Sequence, residues 1–217
     1  MSPQEISLTQ KAFVYTELQI SIPFASVPWE QVNTTIKVQP GFLNKTWLSG
    51  LHTGTAGGFY TFDSVANAQR FVTEYFPGAA REFGMAQATL IFDAAVVQEA
   101  SQDMSSVHFG GKVARAPGAF VYTEAQVNLP FGQLPWRDVN PGLKAQPGLL
   151  CKTWLSGLNT NTAGGIYGFD SIDNAKAFAI DYFPALAKVL NSAYTTRIFD
   201  AAPAIEASRA MNSPFFT

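Results

Sequence analysis

The 217-residue chain is 47% hydrophobic and only 14% charged, with a formal charge of −2 and a pI near 5.6. Globular domains usually carry about 25% charged residues, so most of this chain is core or interface rather than solvated surface, which excludes a disordered protein. No basic run interleaves with aromatics, which excludes nucleic acid as the main partner.

The opening stretch, MSPQEISLTQ, lacks the cationic start and apolar run of a signal peptide, and nowhere do 18 or more apolar residues run together. The expectation is a soluble, cytoplasmic protein with no membrane partner. From Phe13 to Ser21, Val14, Thr16, Leu18 and Ile20 alternate with Phe13, Tyr15, Glu17 and Gln19, which predicts a strand. Pro28 suits a first helical turn, and Trp29, Val32 and Ile36 share one helical face until Gln39, Pro40 and Gly41 stop it. Phe42–Ser49 is aromatic and β-prone, residues 50–55 form a turn, and Gly57–Phe62 supplies the second strand of a hairpin. Asp63 or Ser64 can cap a helix whose apolar stripe runs from Val65 to Tyr75 and ends at Pro77, with another turn over residues 78–85. Thr89–Asp93 closes the unit as a last strand.

The same series then begins again. AFVYTE recurs at Ala12 and Ala119, KTWLSGL at Lys45 and Lys152, and TAGG at Thr55 and Thr162, always offset by 107 and without a gap. Two copies, Ala12–Met104 and Ala119–Met211, divide the chain into domains 1–104 and 119–217, joined by a linker over 105–118. Gly110, Gly111, Pro117 and Gly118 suit that linker to a mobile crossing. Each copy reads β-α-β-β-α-β, the ferredoxin-like arrangement with both helices on one face of a four-stranded antiparallel sheet. The bare second face needs a cover, and the other copy can supply one. The expected fold is therefore α+β: two ferredoxin-like domains packed sheet to sheet as an intramolecular dimeric α+β barrel, a pseudo-dimer that could pair once more as a homodimer.

For chemistry, absences come first. There is no GxGxxG after the opening strand, no Walker sequence and no GxSxG. The pairs Gly57, Gly58 and Gly164, Gly165 read as a bulge or a close backbone approach rather than a phosphate cradle. Cys151 is the only cysteine and Asn44 its counterpart, so no disulfide framework or thiolate cluster exists. His52 and His108 are the only histidines and neither recurs, Asn159 replacing His52. A solvated turn is their commoner reading, with a catalytic role kept open for His52. No metal or cofactor is expected. Tyr15, Glu17 and Gln19 share one face of the first strand, as do Tyr122, Glu124 and Gln126. That face looks either toward the helices, where a desolvated glutamate could act as a general base, or toward the partner sheet, where the polar groups would pair across it. Lys45, Trp47 and Ser49 share a face of the second strand, as do Lys152, Trp154 and Ser156. Lysine and serine could hydrogen-bond a substrate oxygen while tryptophan stacks on its ring, against the alternative that tryptophan is core. Tyr60 and Tyr167 are either catalytic phenols or buried and content with one partner.

Pro40-Gly41-Phe42-Leu43, Lys45, Trp47, Ala56-Gly57-Gly58-Phe59-Tyr60, Phe62 and Phe92-Asp93 together resemble the YdhR-like monooxygenase family of the dimeric α+β barrel superfamily. The second copy repeats the series from Pro147-Gly148-Leu149-Leu150 to Phe199-Asp200. The resemblance implies a ferredoxin-like subunit that pairs as a barrel dimer and oxygenates small aromatic or phenolic compounds without metal or flavin. The chain departs from the family pattern by fusing two subunits, which frees two pockets to diverge. Against a cofactor-independent monooxygenase acting on an aromatic or polyketide-like compound stand a non-redox cyclase, isomerase or lyase on the same scaffold, and a non-catalytic module that binds small apolar molecules or serves in assembly.

Overall fold

The computed structural model describes residues 11–216; the MSPQEISLTQ stretch weighed above for an export signal lies outside the described residues. The first copy runs β1 (Ala12–Gln19), α1 (Trp29–Lys37), β2 (Phe42–Gly50), β3 (Thr55–Phe62), α2 (Val65–Arg70), a π-turn (Phe71–Tyr75), α3 (Phe76–Glu82), β4 (Gln87–Asp93) and α4 (Gln98–Asp103). The second repeats it as β5 (Ala119–Gln126), α5 (Trp136–Lys144), β6 (Leu149–Ser156), β7 (Thr162–Phe169), α6 (Ile172–Ala177), a π-turn (Phe178–Tyr182), α7 (Phe183–Val189), β8 (Tyr194–Asp200) and α8 (Ile205–Arg209).

β1 is central in its sheet, pairing antiparallel with β3 and β4, and so the residues at its start are buried on both faces. Val14 and Thr16 face the helices, whereas Phe13 and Tyr15 join the core between the two sheets with Tyr122, Phe120 and Phe199. Burial of each such aromatic side chain contributes about 1.5–3 kcal/mol, which makes this shared core a main source of cohesion between the copies. The strand order is β4-β1-β3-β2-β8-β5-β7-β6. Two short seams link the sheets: Ser49 and Gly50 of β2 pair with Asp200 and Phe199 of β8, and Phe92 bridges Gly157. Leu51 N–H donates to Ile198 O and Leu158 N–H to Ile91 O, each at 2.9 Å, extending the two seams symmetrically. The result is an eight-stranded antiparallel sheet made from two βαββαβ units, with the expected α+β class and barrel-like packing.

Three details refine the sequence reading. The helix after Ser64 runs through Pro77 to Glu82, in line with the further turn expected over residues 78–85. The π-turn just before it widens the backbone spacing, and Pro77 falls in the first turn of α3, where a missing N–H costs little. Of the two candidate caps, Ser64 does the capping, its Oγ accepting from Asn67 N–H at 3.3 Å. The residues after each last strand form α4 and α8, which cross to the other copy. Ser208 Oγ accepts from Trp47 N–H at 2.9 Å and Met211 O from Lys45 N–H at 3.1 Å; Ser101 and Met104 do the same for Trp154 and Lys152. Each tail thereby satisfies the outer edge of its neighbour's second strand.

The stretch read as a mobile crossing is packed at its start. Residues Val107–Phe109 form a 3-10 turn, and Ser106 Oγ lies 2.7 Å from Thr153 Oγ1, as Ser213 Oγ lies 2.8 Å from Thr46 Oγ1 in the other half. Among the described residues, no helix is long and apolar enough to cross a membrane.

Candidate functional site

Between helices and sheet, each copy encloses an apolar cavity with a lysine at its floor. The alternation of β2 sends Lys45 and Trp47 to the helix side, and Tyr60 on β3 stands opposite Lys45 in register. In the second copy Lys152, Trp154 and Tyr167 repeat the arrangement. The lysine lies across the neighbouring strand because that strand has a glycine there. A Cβ on Gly58 would come within 2.5 Å of Lys45 Cε and 2.9 Å of the Tyr60 ring, and one on Gly165 would meet Lys152 in the same way. The glycine pair is thus a close-approach device, as the sequence suggested, and its second member makes room for the buried amine.

Both lysines are 1% exposed. Lys45 Nζ sits 2.8 Å from the centroid of the Trp47 ring and 4.9 Å from that of Tyr60; the distances for Lys152 are 2.7 Å to Trp154 and 4.8 Å to Tyr167. The ion pairs of the described residues involve neither lysine. Burial without a countercharge holds both amines well below the ordinary lysine range, which favours the neutral, nucleophilic and basic form. Burial pushes the Tyr60 and Tyr167 phenols upward, so both stay protonated, and each accepts a long hydrogen bond from a threonine hydroxyl of β1 or β5.

The indoles are fixed by residues that sequence reasoning passed over. Trp47 Nε1 donates to Asn33 Oδ1 at 2.8 Å, and Asn33 donates onward to Ala207 O of the crossing tail. Trp154 Nε1 donates to Asn140 Oδ1 at 2.9 Å, and Asn140 donates to Asp103 Oδ2 and Ala100 O. A buried asparagine at the same place in both copies, on the stripe of a short amphipathic helix, was the available signal.

The other sequence candidates lie elsewhere. The face bearing Tyr15, Glu17 and Gln19 turns to the partner sheet, where Tyr15 and Tyr122 stack with centroids 4.3 Å apart. The Tyr15 hydroxyl donates to Glu17 and the Tyr122 hydroxyl to Glu124, while Arg197 Nε lies 3.5 Å from Glu17. A groove of about 260 Å³ is lined by these groups. Here each carboxylate already accepts from a tyrosine, and burial first, then the neighbouring carboxylate, pushes both phenols upward. Gln19 and Gln126 brace the hairpin turns through carbonyls of Thr53 and Gly54, and of Thr160 and Asn161. His52 is exposed at the tip of its turn with φ of 57°, as is Asn159 with φ of 60°. His108, by contrast, is half-buried among Phe13, Phe59 and Phe215; its Nδ1 lies 2.9 Å from Thr153 Oγ1 and desolvation of its ring pushes its pKa down to about 3. Among the described residues no cluster of three His, Cys, Asp or Glu side chains is placed to hold a metal ion.

The fold is that of a dimeric α+β barrel with both subunits in one chain, each carrying a cavity between helices and sheet. The family model described as "Putative mono-oxygenase ydhR" matches residues 17–118 and again 133–210, and the chain belongs to that family. Among solved structures, an "anthrone oxidase-like protein" is similar with a TM-score of 0.58 at 16% identity, over 88% of this chain and 91% of that one. A "putative monooxygenase" from Lactobacillus acidophilus NCFM is similar with a TM-score of 0.51 at 9% identity, over 88% and 93%. At such identities these likenesses speak for the fold. No match is found among curated proteins.

Proposed function

We propose that the chain is a cytoplasmic monooxygenase that oxygenates a small aromatic or phenolic molecule in its helix–sheet cavities without a resident metal or flavin. The observation that carries this reading is the buried lysine amine in each apolar cavity, held by burial well below the ordinary lysine range and set between an indole face and a phenol. Each cavity offers an amine, an indole and a phenol, a donor set suited to proton transfer and ring binding rather than to metal ligation.

The chemistry follows from those groups. Nζ takes a proton from an acidic methylene activated by flanking rings or a phenolic oxygen. The ammonium that forms lies over the tryptophan face, where a desolvated cation–π contact is worth about 2 kcal/mol. The Tyr60 or Tyr167 hydroxyl donates to the substrate oxygen that gathers the negative charge. The carbanion reduces dioxygen and combines with it to give a hydroperoxide. Loss of water, with the proton returned by the ammonium, leaves a carbonyl: the methylene plus dioxygen becomes a ketone plus water, and no external reductant enters. Glu17 and Glu124 serve in this reading as acceptors for the tyrosines of their own strands, with Arg197 of the other copy beside Glu17, and His52 has no part in it.

Oxygen uptake with a hydroxyanthrone as first probe tests the proposal; the similar anthrone oxidase-like structure suggests the choice. One dioxygen consumed per ketone formed, falling about 10²–10⁴-fold in the Lys45→Met/Lys152→Met double variant but little in Glu17→Gln/Glu124→Gln, is the expected result. Uptake that survives loss of both lysines would sink it.

A further inference from the structure

We infer that the two cavities have diverged in specificity: the second copy takes a fused-ring phenolic ligand with a polar group at its mouth, and the first takes only a smaller, single-ring phenol with no polar group at its mouth. The inference rests on the reading of these cavities as ligand sites. The floors are the same, since Lys45, Trp47 and Tyr60 match Lys152, Trp154 and Tyr167 residue for residue. The volumes are not: about 320 Å³ in the second copy and about 240 Å³ in the first.

The difference traces to side chains at matching backbone positions. Leu18 pairs with Ala56 across β1 and β3, and its counterpart Ala125 pairs with Ala163 across β5 and β7, so identical backbones carry a leucine in one cavity and an alanine in the other. At the mouth, Phe83 and Met85 of the first copy become Leu190 and Ser192 in the second. Leu186 in place of Ala79 returns part of the space, and the second cavity is still the larger of the two. Polarity diverges as well. Ile22 and Phe83 at the mouth of the first cavity are matched by the equally apolar Leu129 and Leu190 of the second, but Gly84 and Met85 become Asn191 and Ser192, and Asn128 in place of Ser21 joins the second cavity's lining. Asn128 and Asn191 are solvent-exposed, with amide groups that a ligand hydroxyl can reach without stranding a buried partner.

Calorimetric titration of the full chain under nitrogen reads this apart from any oxygenation. With 1,8-dihydroxyanthrone the wild type is expected to bind one equivalent per chain, and with phenol two. Ala125→Leu, which installs the residue the first copy already accommodates, should weaken anthrone binding by about tenfold or more and leave two phenol sites. Leu18→Ala/Met85→Ser should raise the anthrone stoichiometry to two. Two equal anthrone sites in the wild type, or an Ala125→Leu variant that binds it unchanged, would overturn the divergence while leaving the proposed oxygenation standing. Failure of both probes to bind would overturn the cavity reading and this inference with it.

Discussion

A lysine held without a carboxylate in an apolar cavity must be explained by use, because it costs stability. The unfolded chain protonates Lys45 and Lys152 below about pH 10.4, whereas the folded chain holds their pKa well below that. Between the lowered folded value and about 10.4 the unfolded state binds more protons, so stability rises with pH through that window and falls as pH drops. Lys152→Met keeps the apolar stem and removes the titrating group. It is expected to melt higher than the wild type at pH 6, with the difference narrowing toward pH 10, while oxygen uptake at the second cavity is lost. A melting difference that stays flat across that range would contradict a neutral buried amine. The sequence shows that Lys45 and Trp47 share a strand face, and that Glu17 shares one with Tyr15. It does not show which face meets the helices, because β1 is apolar on both sides and alternation alone is symmetric. Pairing across the barrel decides the matter, and it assigns the helix-side cavity to the lysine rather than to the glutamate.

At the level of elements, the strands were the most legible because their alternation and turns are local. The two crossing helices were not, since α4 and α8 are short, Ala- and Ser-bearing, and packed against a strand of the other copy. Their apolar residues make no stripe long enough to register, and their role is carried by single hydrogen bonds from far along the chain. Ser208 Oγ is the partner of the buried Trp47 N–H. Ser208→Ala leaves that donor unpaired, which is expected to lower stability by about 1–3 kcal/mol in urea titration. Because the same strand carries Lys45, binding of phenol at the first cavity should weaken while the second cavity is spared; Ser101→Ala should do the reverse through Trp154. Equal effects on both cavities would contradict this division of labour between the tails.

At the scale of the whole molecule, the gapless repeat announces two units, and the apolar second face of each sheet announces that they cover one another. The exchange of tails adds a consequence that neither feature carries alone. A half cut in the exposed stretch between Ala114 and Arg115 keeps its own sheet and helices but loses the tail that seals its second strand, and it exposes the inner face bearing Phe13, Tyr15 and Phe59 or Phe120, Tyr122 and Ile166. Each of these side chains contributes about 1.5–3 kcal/mol when buried, against an association cost of about 4–15 kcal/mol for bringing two free halves together. The buried face outweighs that cost once both halves are present, and neither half can recover it alone. Fragments 1–114 and 115–217 are therefore expected to show no cooperative unfolding separately. Mixed in equal amounts, they should assemble into a one-to-one complex that elutes with the intact chain and melts cooperatively, at a temperature that rises with concentration as a bimolecular equilibrium requires. A first fragment that folds cooperatively as a monomer would mean that the tails decorate two independent domains. Failure of the mixed fragments to pair would mean that the covalent fusion, rather than the shared core, holds the barrel together.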